Sequence, residues 1–160
     1  DEEEKSVYLK ESAVSALGIL GDSRAVDPLV SILEAKQGFL DKFSFLKERV
    51  IEALGKLNIN SSKINKALKQ SLYDVSPMVR INAIEAIMNS DEEDAADTIR
   101  PCLNDDDKEV KKNALIALYN LEGRDILDEV LAKSEYSDDL KTEAMNLIEE
   151  YENGEDEDEE

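Results

Sequence analysis

Side chains that commonly carry out acid–base or nucleophilic chemistry are scarce in this 160-residue chain. It contains no His and a single Cys, Cys102. It therefore lacks the commonest general base and metal ligand, and one Cys cannot form an intrachain disulfide or a multi-cysteine zinc site. Cys102 lies beside Leu103 on an apolar stripe, where a Cys is more often a small core residue than a nucleophile. The residue types predict a protein that is not an enzyme and has no catalytic, metal or cofactor site.

Pairs of opposite charge recur at a fixed spacing, with an acid six residues before a base. The pairs are Glu4 and Lys10, Asp41 and Lys47, Asp74 and Arg80, Asp105 and Lys111, and Glu135 and Lys141. The acid would lie in a turn, near the positive end of the next helix, and stacked units would align the charges into a ladder. We expect exposed pairs worth about 0–1 kcal/mol each, with a structural role and no chemistry.

These charges belong to an internal repeat that organises the chain. Equivalent positions are 13, 50, 83, 114 and 144, with spacings of 37, 33, 31 and 30 residues. Within each copy, apolar residues fall at i, i+4, i+5, i+7 and i+8, which is typical of an amphipathic helix. A second, shorter stripe follows in each of the first four copies: Leu29 and Leu33, Leu68 and Leu72, Ile99 and Leu103, and Leu127 and Leu131. The unit is helix, turn, helix, which predicts an all-α fold.

Several residues mark the expected helix ends. Ser61 and Ser62 are candidate N-caps, and Ser76 precedes Pro77 at a predicted first helical position. Ser90 with Glu93 three residues later matches a capping box. Pro101 falls inside the second helix of the third repeat, where it should kink or shorten that helix.

Composition limits the class of partner. The 39 acidic and 19 basic residues give a formal charge of −20, which argues against binding a nucleic-acid backbone. No apolar stretch of 18 residues occurs, so we expect no membrane segment. Residues 152–160 carry seven acids and no apolar side chain, so they are expected to form a disordered tail. That tail would either solubilise the protein or attract a basic partner. The chain begins at Asp1, as expected for a processed protein or an excised piece. Its cellular compartment is therefore not predicted.

Two stretches of the repeat resemble the HEAT-repeat family, in particular the short unit of phycobilisome lyases. They run from Ala13 to Leu29, through Gly21-Asp22-Ser23, and from Asp74 to Arg80. The resemblance implies a right-handed α-solenoid of about four and a half repeats within residues 6–151, after an acidic lead at 1–5. The expected repeats are 6–36, 37–73, 74–104, 105–134 and 135–151.

Some proteins with this architecture are enzymes, and the composition of this chain shows which of their activities it could share. Deoxyhypusine hydroxylases need His-Glu pairs for iron, and this chain has no His. HEAT-like DNA glycosylases present a basic, aromatic surface, which so acidic a chain without Trp does not offer. A bilin-lyase-like role, or another small-ligand carrier, stays open, although no dense basic cluster is visible.

The resemblance places the second helices on the concave side, where a partner would bind. The candidate contact residues there are Lys66, Lys69, Tyr73, Asp97 and Arg100. Phe39 and Phe43 lie in an insertion, Gly38 to Phe45, which either enlarges the core or forms a protruding hydrophobic anchor. We expect a non-catalytic module or scaffold that binds a protein, with a basic partner favoured by charge. A purely structural segment of a larger protein is the remaining alternative.

The two ends of the array differ. The final helix, about Ser137 to Glu152, has one apolar side and can close the stack alone. In the first helix, beginning near Ser6, Val7, Tyr8 and Leu9 are adjacent, and one of them is expected to face outward toward an upstream repeat.

Overall fold

The computed structural model describes residues 2–34, 44–57, 59, 61–90 and 92–155. Over these ranges the chain forms helices and turns and contains no strands, so the prediction of an all-α fold is confirmed. The α-helices are α1 (Glu2–Leu20), α2 (Val26–Glu34), α3 (Ser44–Lys56), α4 (Ser62–Ser71), α5 (Pro77–Met88), α6 (Ala95–Ile99), α7 (Lys108–Glu122), α8 (Asp125–Ala132) and α9 (Asp138–Glu155). Two 3₁₀ helices accompany them in these ranges, Ser23–Ala25 and Arg100–Asn104.

The chain divides into two compact units, Asp1–Ala95 and Ala96–Glu160. In the first unit, α1 packs on α3 and α3 packs on α5, so the first helices of successive repeats lie side by side. The second helices cover them, because α2 packs against α3 and α4 packs against α5. Leu29, Val50, Leu54 and Ile84 are at most 1% exposed in the resulting core.

The second unit repeats this scheme. The helix α7 packs against the 3₁₀ helix Arg100–Asn104, against α8 and against α9, and α8 also packs on α9. Val110, Leu115, Leu118, Val130 and Ala144 have no exposed surface. The described core is mainly aliphatic in both units, as expected for a chain with no Trp, and Tyr136 is also buried in the second unit.

Two helix starts follow the sequence signals and one does not. Ser61 and Ser76 occupy the N-cap positions of α4 and α5, and Pro77 is the first residue of α5. The capping box predicted at Ser90 is wrong, because α6 begins only at Ala95. The Ser90 hydroxyl instead donates to the Ile87 carbonyl at 2.7 Å, so it serves the end of α5.

The predicted effect of Pro101 is confirmed. The second helix of the third repeat consists of the five residues of α6, and the chain then continues as the 3₁₀ helix Arg100–Asn104. Proline has no N–H to donate and its ring clashes with the preceding turn, so the α-helix cannot continue through it.

The first and last helices are longer than the sequence patterns suggested. The helix α1 begins at Glu2 where a start near Ser6 was expected. The helix α9 continues to Glu155, so residues 152–155 of the predicted tail are helical. Residues 156–160 lie outside the described ranges, and the predicted repeat limits stay predictions.

Asp74 links two successive repeats through its carboxylate. One oxygen accepts the Ser76 N–H at 2.9 Å, in the turn before α5. The other accepts a hydrogen bond from Lys47 Nζ on α3 at 2.7 Å. The expected exposure is wrong here, because packing leaves the Lys47 side chain only 4% exposed and that of Asp74 only 13% exposed. Arg80, six residues after Asp74, donates to the Asp74 backbone carbonyl at 2.7 Å.

Lys111 makes a comparable link in the second unit. Its Nζ lies 2.5 Å from Asp139 Oδ2 at the start of α9 and 3.2 Å from the Ser137 hydroxyl. The Lys111 ammonium and, after it, the Ser137 hydroxyl lower the pKa of Asp139 to about 2. In both links the base of one repeat reaches an acid at the start of the next first helix.

Candidate protein-interaction surface

Three of the predicted contact residues lie on α4 or directly after it and line one groove. The apolar face of α4 buries Ile64, Ala67 and Leu68, so the residues between them point away from the core. That outward side borders an open groove of about 590 Å³, which we call the α4 groove. It is lined by Ser62, Asn65, Lys66, Lys69, Gln70, Tyr73 and Glu92. Three candidates that the sequence separates by three and four residues thus share one surface.

Two lysines of α4 are held by carboxylates. Lys69 Nζ lies 2.8 Å from Asp94 Oδ2 and 3.8 Å from Glu92 Oε2. The hydrogen bond to Asp94 raises the pKa of Lys69. Lys63 Nζ lies 2.6 Å from Asp27 Oδ1 on α2, and that contact raises the pKa of Lys63. Of these two lysines, Lys69 lines the groove, whereas Lys63 does not.

Lys66 differs from its neighbours on α4. Its side chain is exposed, and it forms no ion pair with any residue that the structure describes. An exposed ammonium at the wall of a groove can donate to a carboxylate or a carbonyl of another molecule.

Tyr73 gives the α4 groove an exposed aromatic ring. The residue directly follows Leu72, which caps α4, and 78% of its surface is accessible. Val75 and Met78, in the turn and at the start of α5, are 64% and 50% exposed. Exposed apolar side chains therefore follow the end of α4, in the turn and at the start of α5.

Arg100 is committed to its own unit. Its Nη2 lies 2.7 Å from both carboxylate oxygens of Glu122 on α7, and its Nη1 lies 2.9 Å from Glu129 Oε2 on α8. Burial acts to lower the pKa of Arg100, but Glu122 and Glu129 outweigh it and raise the pKa. Glu129 also accepts from Lys133 at 2.8 Å, a bond that lowers its pKa. The guanidinium therefore ties the 3₁₀ helix to α7 and α8.

The remaining sequence candidates lie in other parts of the chain. Asp97 is exposed on α6 and belongs, with Arg100, to the second unit. Phe39 and Phe43 lie outside the described residues, so their role as anchors stays a prediction. Phe45, the last residue of the same insertion, lies in α3 and is 37% exposed.

A second concavity of the first unit was not foreseen from the sequence. It is a cleft of about 610 Å³ between α3, α4 and α5. Its polar wall includes Arg49, Glu52, Lys56, Asn65 and Asn82, and its apolar wall includes Ile51, Leu54, Ile64, Leu68 and Met78. No sequence signal marks this cleft, because it arises from the spacing between helices.

The cations of this cleft are internally paired. Arg49 Nη1 lies 2.7 Å from Glu52 Oε2, and Lys56 Nζ lies 2.6 Å from Glu52 Oε1. Arg49 also reaches Glu11 on α1 at 3.1 Å. The hydrogen bonds from Lys56 and then Arg49 lower the pKa of Glu52.

Other classes of site have little support in the described part of the chain. No cluster of three or more His, Cys, Asp or Glu side chains in it could hold a metal ion. Cys102 is buried at 7% exposure. Among the described helices, none is both long and apolar enough to cross a bilayer.

Comparison with known proteins identifies the architecture. No curated protein matches the chain significantly. The family described as PBS lyase HEAT-like repeat matches residues 9–35. The family described as HEAT repeats matches residues 41–119 and 64–147. These matches confirm the resemblance read from the repeated residues, and the helix-turn-helix units described above have the arrangement of such repeats. The chain belongs to the HEAT-repeat family.

Proposed function

We propose that this chain is a non-catalytic protein-binding module that contacts its partner through the α4 groove. HEAT repeats commonly mediate protein interactions or serve as scaffolds, and the family is generally non-catalytic. The observation that carries the proposal is the shared surface of Lys66, Gln70 and Tyr73, beside Lys69, which is paired with Asp94.

The groove has the composition of an interface centre. A Tyr side chain supplies a large, rigid contact area at a low entropic cost, and Tyr is enriched among residues that dominate binding energy. Tyr73 would receive an apolar side chain of the partner, with Val75 and Met78 extending the apolar contact. Lys66 would donate to a carbonyl or carboxylate beside it. Since Lys69 is already paired with Asp94, its side chain needs less ordering on binding.

Charge favours a partner that is basic overall. The formal charge of −20 would attract a positively charged protein over long distances and raise its association rate. Binding would then weaken as salt screens this attraction. The α4 groove would provide the short-range contacts after that encounter.

A small-ligand carrier is the second candidate, and the cleft between α3, α4 and α5 favours it. Its volume of about 610 Å³ falls in the range of roughly 300–1,000 Å³ of small-molecule sites. However, Arg49 and Lys56 both hydrogen-bond to Glu52, so an acidic ligand would have to displace these contacts. The PBS lyase match, at residues 9–35, includes none of the cleft residues. Protein binding therefore has the stronger support.

The proposal is tested by affinity capture from the native extract, followed by binding measurements on the captured partner. We expect Tyr73→Ala to weaken that binding roughly tenfold or more, as for truncation of a central aromatic contact. Lys66→Glu should weaken it through charge repulsion. Tyr8→Ala is the matched control, since Tyr8 is also well exposed, at 66%, but lies on α1.

The same experiment distinguishes the alternatives. Unchanged affinity for both Tyr73→Ala and Lys66→Glu would reject the α4 groove as the contact surface. A small molecule that copurifies with the chain and is lost on Arg49→Ala would favour the carrier. Capture that does not decrease between low and high salt would contradict a basic, electrostatically steered partner.

A further inference from the structure

The helix α1 exposes an apolar face opposite the one it packs on α3. Leu9, Ala13, Ala16 and Leu20 fall at i, i+4, i+7 and i+11 and therefore share one side of the helix. We call these four residues the α1 stripe. Leu9 and Leu20 are each 73% exposed, and both alanines are exposed.

The other side of α1 is closely packed on the rest of the unit. Val14 is 2% exposed, and Gly18 approaches Ala53 of α3 so closely that a Cβ at Gly18 would lie 2.9 Å from the Ala53 Cα. Glu11, on this side, pairs with Arg49 of α3. The α1 stripe is therefore not the face through which α1 joins the unit.

Equivalent positions in the other repeats are buried. The residues that correspond to Leu9 are at most 2% exposed, and those that correspond to Ala13 are 0% exposed. The first set is Leu46, Val79, Val110 and Leu140, and the second is Val50, Ala83, Ala114 and Ala144. In those repeats a preceding helical segment packs on the first helix: α2 on α3, α4 on α5, Arg100–Asn104 on α7 and α8 on α9. The α1 stripe thus has the composition of a helix-packing face, but no described helix packs on it.

We propose that a second copy of this chain covers the α1 stripe, with the two α1 helices antiparallel about a two-fold axis. A two-fold contact requires a surface that is complementary to itself. The stripe meets this requirement, because Leu9 and Leu20 lie equally far on either side of the midpoint between Ala13 and Ala16. Leu9 then faces Leu20 of the partner subunit, and Ala13 faces Ala16 of the partner subunit.

The size of the side chains suits this arrangement. The two small alanines at the centre allow the helix axes to approach closely, and the leucines at both ends fill the space where the helices diverge. Burying four exposed leucines from the two copies would supply the driving force.

Charge is compatible with the antiparallel direction. The stripe itself carries no charge, and Lys5 lies one turn before Leu9 on the same side of the helix. In the antiparallel dimer Lys5 approaches the C-terminal end of the partner's α1, whose last turn contains no basic residue. A cation is favourable there because of the helix dipole. Since each copy is strongly acidic, added salt should strengthen this apolar contact, the reverse of its effect on a basic partner.

Sedimentation equilibrium of the full chain between about 1 and 200 µM tests the proposal. We expect a reversible shift from 17.9 kDa to twice that mass. Leu9→Glu with Leu20→Glu places like charges opposite each other, whereas Leu9→Glu with Leu20→Lys places opposite charges there in the antiparallel register. The Glu/Lys variant should therefore dimerise roughly tenfold more tightly than the Glu/Glu variant at low salt.

Ser15→Glu is the control, since it adds a negative charge to an exposed position of α1 outside the stripe. It should leave dimerisation unchanged, and circular dichroism should show that all variants remain helical. A chain that stays monomeric throughout the concentration range overturns the proposal and leaves the stripe to a helical segment other than a second α1. Equal association of the Glu/Glu and Glu/Lys variants, or equal damage by Ser15→Glu, also overturns it.

Discussion

Replacing Asp74 by Asn tests whether the buried link between repeats stabilises the first unit. The Asn side chain can still accept the Ser76 N–H, so the turn before α5 is preserved. Its other atom becomes an N–H donor that faces the Lys47 ammonium. The substitution thus removes the charge and one acceptor while keeping the shape of the side chain.

The expected magnitude follows from the burial of the pair. Removal of one partner costs about 3–5 kcal/mol in a fully buried pair, but an exposed pair is worth only about 0.2–1 kcal/mol. Lys47 is 4% exposed and Asp74 is 13% exposed, so water still reaches the carboxylate. We therefore expect the free energy of unfolding to fall by about 2–3 kcal/mol, a large part of the stability of a typical domain.

The assay is urea unfolding followed by circular dichroism, with hydrogen exchange of α3 and α5 to localise the effect to the first unit. Adding Lys47→Met to Asp74→Asn should restore much of the loss, because it removes the ammonium left facing the amide. The matched control is Asp27→Asn. Asp27 accepts from Lys63 at 2.6 Å, also between helices, but these side chains are 72% and 62% exposed.

The control should leave the unfolding midpoint unchanged, since solvent screens the Asp27–Lys63 pair. If Asp27→Asn and Asp74→Asn lower stability equally, burial does not set the strength of these pairs. If the double variant is no more stable than Asp74→Asn, the loss does not come from the Lys47 ammonium facing the amide.

Further predictions concern helix contact and pH. Gly18→Ala should destabilise the protein by roughly 1–3 kcal/mol, because its new Cβ would overlap Ala53 on α3. Gly55 also lies within one turn of a helix end but has open space around it, so Gly55→Ala should instead stabilise the protein by roughly 0.5–1 kcal/mol. Urea unfolding measures both variants. If both change the free energy of unfolding in the same direction, the close contact between Gly18 and Ala53 is contradicted. The pKa of Asp139, held at about 2, should show as a carboxyl titration far below the ordinary 3.8 in NMR. Because that pKa is lowered by folding, its stabilising contribution is complete above about pH 3.8 and is lost as pH falls through 2. Lys111→Met should return the titration toward 3.8, and a wild-type value already there would refute the link.

The repeat periodicity predicted the helices and the core because the same physical requirement recurs in every copy. Each first helix must bury one stripe against its neighbours, so the residues equivalent to Ala13 in later repeats are buried as expected. Pro101 likewise ended its helix for a reason local to its own backbone. Ser90 shows the limit of such local signals, since its hydroxyl could bond either to the following helix or to the preceding one.

The sequence by itself determined the HEAT-type repeat, the all-α class and the outward placement of Lys66 and Lys69, because helical periodicity fixes which side of a helix faces the core. Tertiary packing decided which charged side chains remain available to a partner. It enclosed Lys47 against Asp74, committed Arg100 to Glu122 and Glu129, and left Lys66 exposed. The packing between α3, α4 and α5 also created the cleft, and the uncovered α1 stripe emerged only from comparison of burial between repeats. These outcomes depend on distances between residues in different helices, and a single helix does not encode those distances.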